Sequence, residues 1–229
     1  MIHTEEIVLQ AVKAIRQQRE ELQAPVHALI WGAWGVGKTF SAQRVAKQFR
    51  DVFYMKVPAD DLTRSKLVKT IGLAVGPGYR QSLEATRDLL KYHLKTLKIK
   101  PVLLLDEAQR VLKRPVLVDE LKDLSEDEDM QFCFVFLGDM NVPKIVAQTP
   151  HSIYKRVIIK KELQPLTEKT VEEVVRSSGL KDGQVFYAVA KERGWTTLDV
   201  AVVARVVSKL SKDEITAEDI KKVAVSLGR

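Results

Sequence analysis

The stretch Gly32-Ala33-Trp34-Gly35-Val36-Gly37-Lys38-Thr39 decides the fold, and it follows at once on the short apolar run His27-Ala28-Leu29-Ile30-Trp31. Its spacing is G-x-x-x-x-G-K-[ST]. Glycines at these places let consecutive backbone N–H groups turn inward and cradle phosphate oxygens. A helix is expected from about Thr39 to Arg50, and its start adds a positive dipole end to the same loop. A strand before the loop and a helix after it are the context in which this spacing binds phosphate. Lys38 suits the β- and γ-phosphates of a nucleotide, and the Thr39 hydroxyl suits Mg²⁺. Residues 32–39 and the adjoining Phe40 are therefore the expected ATP or ADP segment.

A second element is Val102-Leu103-Leu104-Leu105-Asp106-Glu107, an apolar strand ending in two acids. Such an end places Asp106 beside the metal, and Glu107 where it can polarise an attacking water. Transfer of a phosphoryl group to a small acceptor needs no such adjacent glutamate, so the pair favours hydrolysis. The third element is at the fourth strand, Gln131–Leu137, which ends in Gly138-Asp139-Met140-Asn141. Asn141 is the candidate for orienting water near the γ-phosphate, with Asp139 as the alternative. A fourth element, His151-Ser152-Ile153-Tyr154-Lys155-Arg156, precedes a short strand at Val157–Ile159. An arginine there can reach a neighbouring subunit's nucleotide and stabilise transition-state charge. Arg156 is the candidate, and Lys155 competes for the role.

Outward from these elements, the chain alternates apolar strands with helices. Thr4 can cap a helix over 4–23 with an apolar face of Ile7, Val8, Ala11, Ile15 and Leu22, ended by Pro25. Val52–Val57 reads as a strand. Asp60 or Asp61 can cap a helix through Leu62, Leu67, Ile71 and Leu73, stopped at Gly76-Pro77-Gly78. Further helices are expected over Gln81–Leu97 and after Pro115. Strands apolar on both faces, alternating with helices, indicate a five-stranded parallel sheet covered by helices, an α/β class. After Pro165 only helices are expected, near 167–178, 182–193, 196–210 and 215–227, with Thr216 and Asp219 spaced as a capping box. The organisation is an α/β core over 1–165 and a helical lid over 166–229.

Composition bounds the rest. Of 229 residues, 45% are hydrophobic and 29% charged, which suits a globular protein and excludes disorder. The longest apolar runs are far shorter than the roughly 20 residues a membrane helix needs. The N-terminus has neither a basic start nor an apolar stretch, so no secretory signal is expected. The lone Cys133 excludes a disulfide scaffold, and His3, His27, His93 and His151 lack metal-ligand spacing. These features read as cytoplasmic. The net charge is +7, and residues 1–166 hold 26 basic and 20 acidic side chains. Seven of those acids fall within Asp119–Asp129, so the remainder of that segment is clearly positive, as a polyanion-binding surface would be. Trp34 can stack on a base or a partner, with half-exposed packing the expected alternative, and Trp31 and Trp195 are expected to lie in cores.

The four elements in this order, followed by a helical lid, resemble the AAA+ ATPases: Walker A, Walker B, sensor 1 and an arginine finger. Within that class LLLDEAQRV, FVFLGDMN and KRVIIKKELQPLT look most like the transposition ATPases related to phage Mu transposition protein B and TnsC. The resemblance implies a slow, assembly-stimulated ATPase that forms a ring or helical filament on double-stranded DNA without sequence preference. It further implies recruitment of a transposase, with hydrolysis ending the assembly. Two departures stand out. Only about 25 residues precede the first strand, where phage Mu protein B carries a helical DNA-binding region. The lid arginine called sensor 2 is expected near Gly194-Trp195-Thr196-Thr197, and Thr197 takes its place.

Duplex DNA of any sequence is held by several cations near phosphates, each releasing counterions. The candidates are Arg64 and Lys66, Tyr79 and Arg80 in the Gly-Pro-Gly loop, and Lys113 and Arg114. Two other functions fit the same core. One is a nucleotide-switched adaptor of ExeA-like character, although secretion ATPases of that kind normally add a membrane span. The other is a replication initiator or helicase loader, although initiators usually append a winged-helix domain and no room for one is expected after Arg229.

Overall fold

The computed structural model describes residues 3–59, 61–164, 166–210 and 215–228. Asp60, one of the two expected caps, and Pro165, the expected boundary, lie outside them, as do Met1, Ile2 and Arg229. Among the described residues five strands form one sheet: β1 (His27–Gly32), β2 (Val52–Lys56), β3 (Val102–Asp106), β4 (Cys133–Gly138) and β5 (Val157–Leu163), in the order β2-β3-β4-β1-β5. The parallel registers pair Leu105 with Phe136 and Met55, and Trp31 with Gly138. Parallel pairing brings the C-terminal ends of β1, β3 and β4 to one edge of the sheet, where α/β folds place ligands. Every residue of β3 and β4 is buried, which is why both read as unbroken apolar runs. The core around them includes Leu103, Leu105, Phe132, Phe134, Phe136, Leu67, Ile71, Leu90 and Leu121.

β5 runs four residues beyond the expected Ile159. It lies at the sheet edge, where exposed Lys160, Lys161 and Glu162 are tolerated, so its pattern does not look like a buried strand. β4 begins at Cys133, because Gln131 has φ +45 and turns the chain before it.

The helices are α1 (His3–Leu22), α2 (Lys38–Ala46), α3 (Arg64–Val75), α4 (Leu83–Leu97), α5 (Gln109–Leu112), α6 (Pro115–Glu126) and α7 (Val142–Gln148), with a 3₁₀ helix at Ser152–Arg156. Thr4 lies within α1 and does not cap it; its hydroxyl donates to the Val36 carbonyl instead (2.8 Å). Ile7, Val8, Ala11 and Ile15 form the buried face, while Leu22 and, on α3, Leu73 are exposed. α3 is capped by Thr63, whose side chain accepts from Lys66 N–H, and not by Asp61; it ends at Gly76 with φ +117. α2 stops at Ala46 short of Arg50, in a turn closed from Gln48 N–H to the Val45 carbonyl (3.0 Å), which returns the chain to β2. α5, α7 and the 3₁₀ helix are too short to show a periodicity in sequence.

The chain divides into two compact units: Ile7–Trp31 with Thr39–Glu162, and Met1–Glu6 with Gly32–Lys38 and Leu163–Arg229. The second unit holds α8 (Glu168–Ser177), α9 (Gly183–Arg193), α10 (Thr197–Val207) and α11 (Ala217–Ser226). These helices share their own core of Val171, Val175, Phe186, Trp195, Val200, Val203, Val207 and Ile220. Thr196 and Thr216 cap α10 and α11 in capping boxes closed by Asp199 and Asp219. No described helix is long and apolar enough to cross a membrane.

Candidate functional site

In the unit that contains it, the glycine loop is held by backbone geometry and by close packing. Gly35 and Gly37 have φ +80 and +89, a region that side chains rarely enter. A Cβ on Gly35 would stand 2.4 Å from Thr196 Cβ, so the loop passes directly over the cap of α10. This is the position at which a sensor 2 arginine is expected; the chain instead offers Thr196 as cap and a buried Thr197. Lys38 Nζ donates to the carbonyls of Gly32 (2.6 Å) and Ala33 (2.8 Å), so the ammonium closes the loop on itself. Trp34 is 71% exposed, which corrects the expectation of half-exposed packing. Trp195 is buried and Trp31 packs on the sheet core.

In the other unit, Thr39 Oγ1 donates to Asp106 Oδ2 at 2.6 Å. The loop's hydroxyl and the first acid of the Asp106-Glu107 pair are thus in direct contact. Tyr54 on β2 donates to the same oxygen (3.0 Å), and Glu107 N–H donates to Oδ1 (3.0 Å). Asp106 itself is only 2% exposed. Burial, followed by the charge and hydrogen bond of Asp106, pushes the Tyr54 hydroxyl well above its ordinary pKa, so it remains a donor. Tyr54 gave no sign in sequence, because only the β2–β3 register places it there. Glu107 stands at φ +60 with Oε2 held by Gln109 Nε2 (2.9 Å) and near Arg110 Nη2 (3.4 Å). Gln109 and Arg110 follow the acid pair after a single alanine, Ala108, and that nearness in sequence is the signal for them. Phe40 is half-exposed, with the Arg44 guanidinium over its ring at 5.5 Å.

Asn141 is exposed at the start of α7, and Asp139 Oδ1 and Oδ2 accept from its backbone N–H (2.9 Å) and Nδ2 (3.3 Å). The two alternatives for this position are therefore one bonded pair. Arg156 pairs with Glu126 (3.0 Å), and Lys155 is exposed. Among the basic candidates, Arg64 binds the buried carboxylate of Glu120 (2.9 Å), and Arg114 Nη1 donates to the Leu62 carbonyl (2.9 Å). Lys113, Tyr79 and Arg80 are exposed, Lys66 is half-buried, and Lys69 Nζ lies 5.5 Å from the centre of the Tyr79 ring. Thr86, fully buried, binds both the N–H (3.0 Å) and the carbonyl (3.2 Å) of Arg80 and so fixes this loop's backbone.

A family model described as AAA domain matches residues 23–146, which hold the glycine loop, the acid pair and the Asp139–Asn141 turn. The chain belongs to this family. The likeness of fold extends beyond the matched AAA domain. The Aeropyrum pernix ORC2 protein in its ADPNP-ADP complexes aligns at a TM-score of 0.70 and 16% identity, over 95% of this chain and 66% of that one. The Aeropyrum pernix ORC1 protein in complex with DNA aligns at 0.67 and 18%, over 99% and 66%. The Thermotoga maritima RuvB Holliday junction branch migration motor aligns at 0.60 and 19%, over 99% and 70%. This AAA domain chain spans about two thirds of the length of the solved structures it matches. No curated protein matches its sequence.

Proposed function

We propose that this AAA domain protein binds and hydrolyses ATP, assembles on duplex DNA in its ATP form, and recruits a transposase to that DNA. The 2.6 Å contact between Thr39 and Asp106 carries the nucleotide part of the reading, since it joins the two motifs that serve one magnesium nucleotide. A hydroxyl and a carboxylate are the hard oxygen donors that Mg²⁺ prefers, and the ion would neutralise phosphate charge there. Lys38 and the loop N–H groups would hold the phosphates. Glu107 is the base for water, with Asp139 and Asn141 as the polar pair that orients it and Arg156 as the residue offered to a neighbouring subunit. The nucleotide complexes of the ORC2 protein and the DNA complex of the ORC1 protein support ATP and DNA as ligands.

The DNA part rests on Lys66, Tyr79, Arg80 and Lys113, which assembled subunits would repeat along a duplex. The transposase part rests on the likeness of LLLDEAQRV and KRVIIKKELQPLT to the transposition ATPases. A replication-initiator role is the second reading, favoured by the likeness of fold to the ORC proteins. The test mixes the protein with random duplex DNA, with and without a slowly hydrolysed ATP analogue, under electron microscopy and a salt titration. Analogue-dependent filaments on arbitrary DNA support the proposal. An absence of DNA affinity at low salt points to a protein-binding adaptor.

A further inference from the structure

Glu107 is a non-glycine residue in the left-handed region, a conformation that costs about 1 kcal/mol or more and persists only where its surroundings impose it. The next residue shows what imposes it: Ala108 N–H donates to the carbonyl of Leu137 on β4 (2.9 Å), bending the chain after β3 toward the neighbouring strand. That bend brings Gln109 back to the carboxylate. Gln109 Nε2 donates to Glu107 Oε2 (2.9 Å), and Gln109 Oε1 accepts from the backbone N–H of Asp139 (3.4 Å). The orientation of the amide follows from its partners, because a carboxylate only accepts and a backbone N–H only donates. Gly138 leaves the space this needs. A Cβ there would lie 3.1 Å from Gln109 Oε1 and 2.2 Å from Val142 Cγ2.

One side-chain amide therefore spans the ends of β3 and β4, with its donor on the acid and its acceptor on the strand that leads into Asp139 and Asn141. A glutamate of the same length would turn an oxygen toward the Glu107 carboxylate, and a leucine would bond to neither end. We propose that Gln109 is a positioning residue for hydrolysis, which ties the Glu107 carboxylate to the β4 end so that base and water-orienting pair keep one frame. The inference rests on the reading of Glu107 as the base.

The test compares Gln109→Leu and Gln109→Glu in the full chain, measuring ATP affinity, kcat and thermal midpoint with and without duplex DNA. Both variants should lose about 10- to 100-fold in kcat, the scale expected for a misplaced catalytic group. The ATP dissociation constant should stay within about twofold of the parent. Gln109→Glu, which keeps the acceptor for Asp139 N–H, should be no faster than Gln109→Leu, because the donor to Glu107 is what matters. Unchanged or raised kcat in both variants overturns the proposal, and so does a parallel loss of ATP affinity, which would mark a merely structural role. Failure of the underlying reading is seen separately: Glu107→Gln would then turn over normally. If Glu107→Gln is slow while the Gln109 variants are normal, only the positioning role falls.

Discussion

Arg156 Nη2 lies 3.0 Å from Glu126 Oε1, each side chain about 40% exposed, so the proposed trans-acting arginine is tethered to the end of α6 within its own protomer. The other end of its segment is tied to the same helix by His151 Nε2 and Asp119 Oδ1 (2.8 Å). His151 Nδ1 accepts from Ile153 N–H, which leaves Nε2 as the ring nitrogen that faces Asp119. An exposed ion pair is worth about 0.2–1 kcal/mol, so the tether is weak enough to be exchanged for a neighbour's phosphate.

Glu126→Gln should lower the protein concentration needed for half-maximal ATPase by up to about fivefold at low salt, and the effect should fade as salt rises. A mixing experiment tests the trans role directly. Arg156→Ala subunits keep the base, and Glu107→Gln subunits keep the arginine; each alone should be nearly inactive. Their mixture should recover turnover, because the second supplies the arginine to the first. A mixture as inactive as its parts would place Arg156 in its own protomer's structure.

Lys38→Ala should abolish nucleotide binding, and with it every nucleotide-dependent assembly. Glu107→Gln should bind ATP normally yet lose about 10²- to 10⁴-fold in turnover, the usual contribution of a general base. Binding by isothermal calorimetry and release of phosphate distinguish the two. Normal turnover in Glu107→Gln would assign the base elsewhere.

The basic candidates should separate by their neighbours. Lys113→Ala and Arg80→Ala should each weaken DNA binding evenly across sequences and reduce the salt slope of log affinity by about 1. Arg64→Ala should instead lower the thermal midpoint, because it strips a partner from the buried Glu120 carboxylate, which among the described residues would keep Arg87 (2.6 Å). A stable Arg64→Ala protein with a reduced salt slope would return Arg64 to the DNA surface.

What was legible in the sequence was what repeats a local rule. The glycine loop, the fully buried runs of β3 and β4, Gly76 as a helix stop and the Thr216–Asp219 box each depend on a few consecutive residues. The Thr39–Asp106 contact follows from two such motifs. Features set by register or by a packed neighbour were not legible. Tyr54 reaches Asp106 only because β2 pairs with β3, and Thr4 turns to the Val36 carbonyl only because the loop folds beside it. The full length of β5 is hidden because its edge position permits the polar residues that would end a buried strand.

His27 gives a prediction that is independent of the nucleotide. It opens β1, fully buried, with its ring 5.4 Å from that of Phe134 and 6.1 Å from that of Phe136. Its Nδ1 accepts from Phe134 N–H (3.1 Å), and its Nε2 has no partner among the described residues. Burial, and then the positive charge of Arg156, lower its pKa to about 3. In the unfolded chain the ring titrates near 6.5, so between these values the unfolded state holds a proton that the folded state lacks. Stability from this source is complete above about pH 6.5 and falls by about 1.4 kcal/mol for each unit below it, reaching a loss of about 2 kcal/mol at pH 5. Other carboxylates add their own losses at lower pH, so the informative quantity is the difference from His27→Gln, which keeps an acceptor but cannot titrate. Urea unfolding from pH 7.5 to 5 should show the parent's stability falling toward that of the variant as pH drops. Parallel curves would mean that the ring is protonated inside the fold.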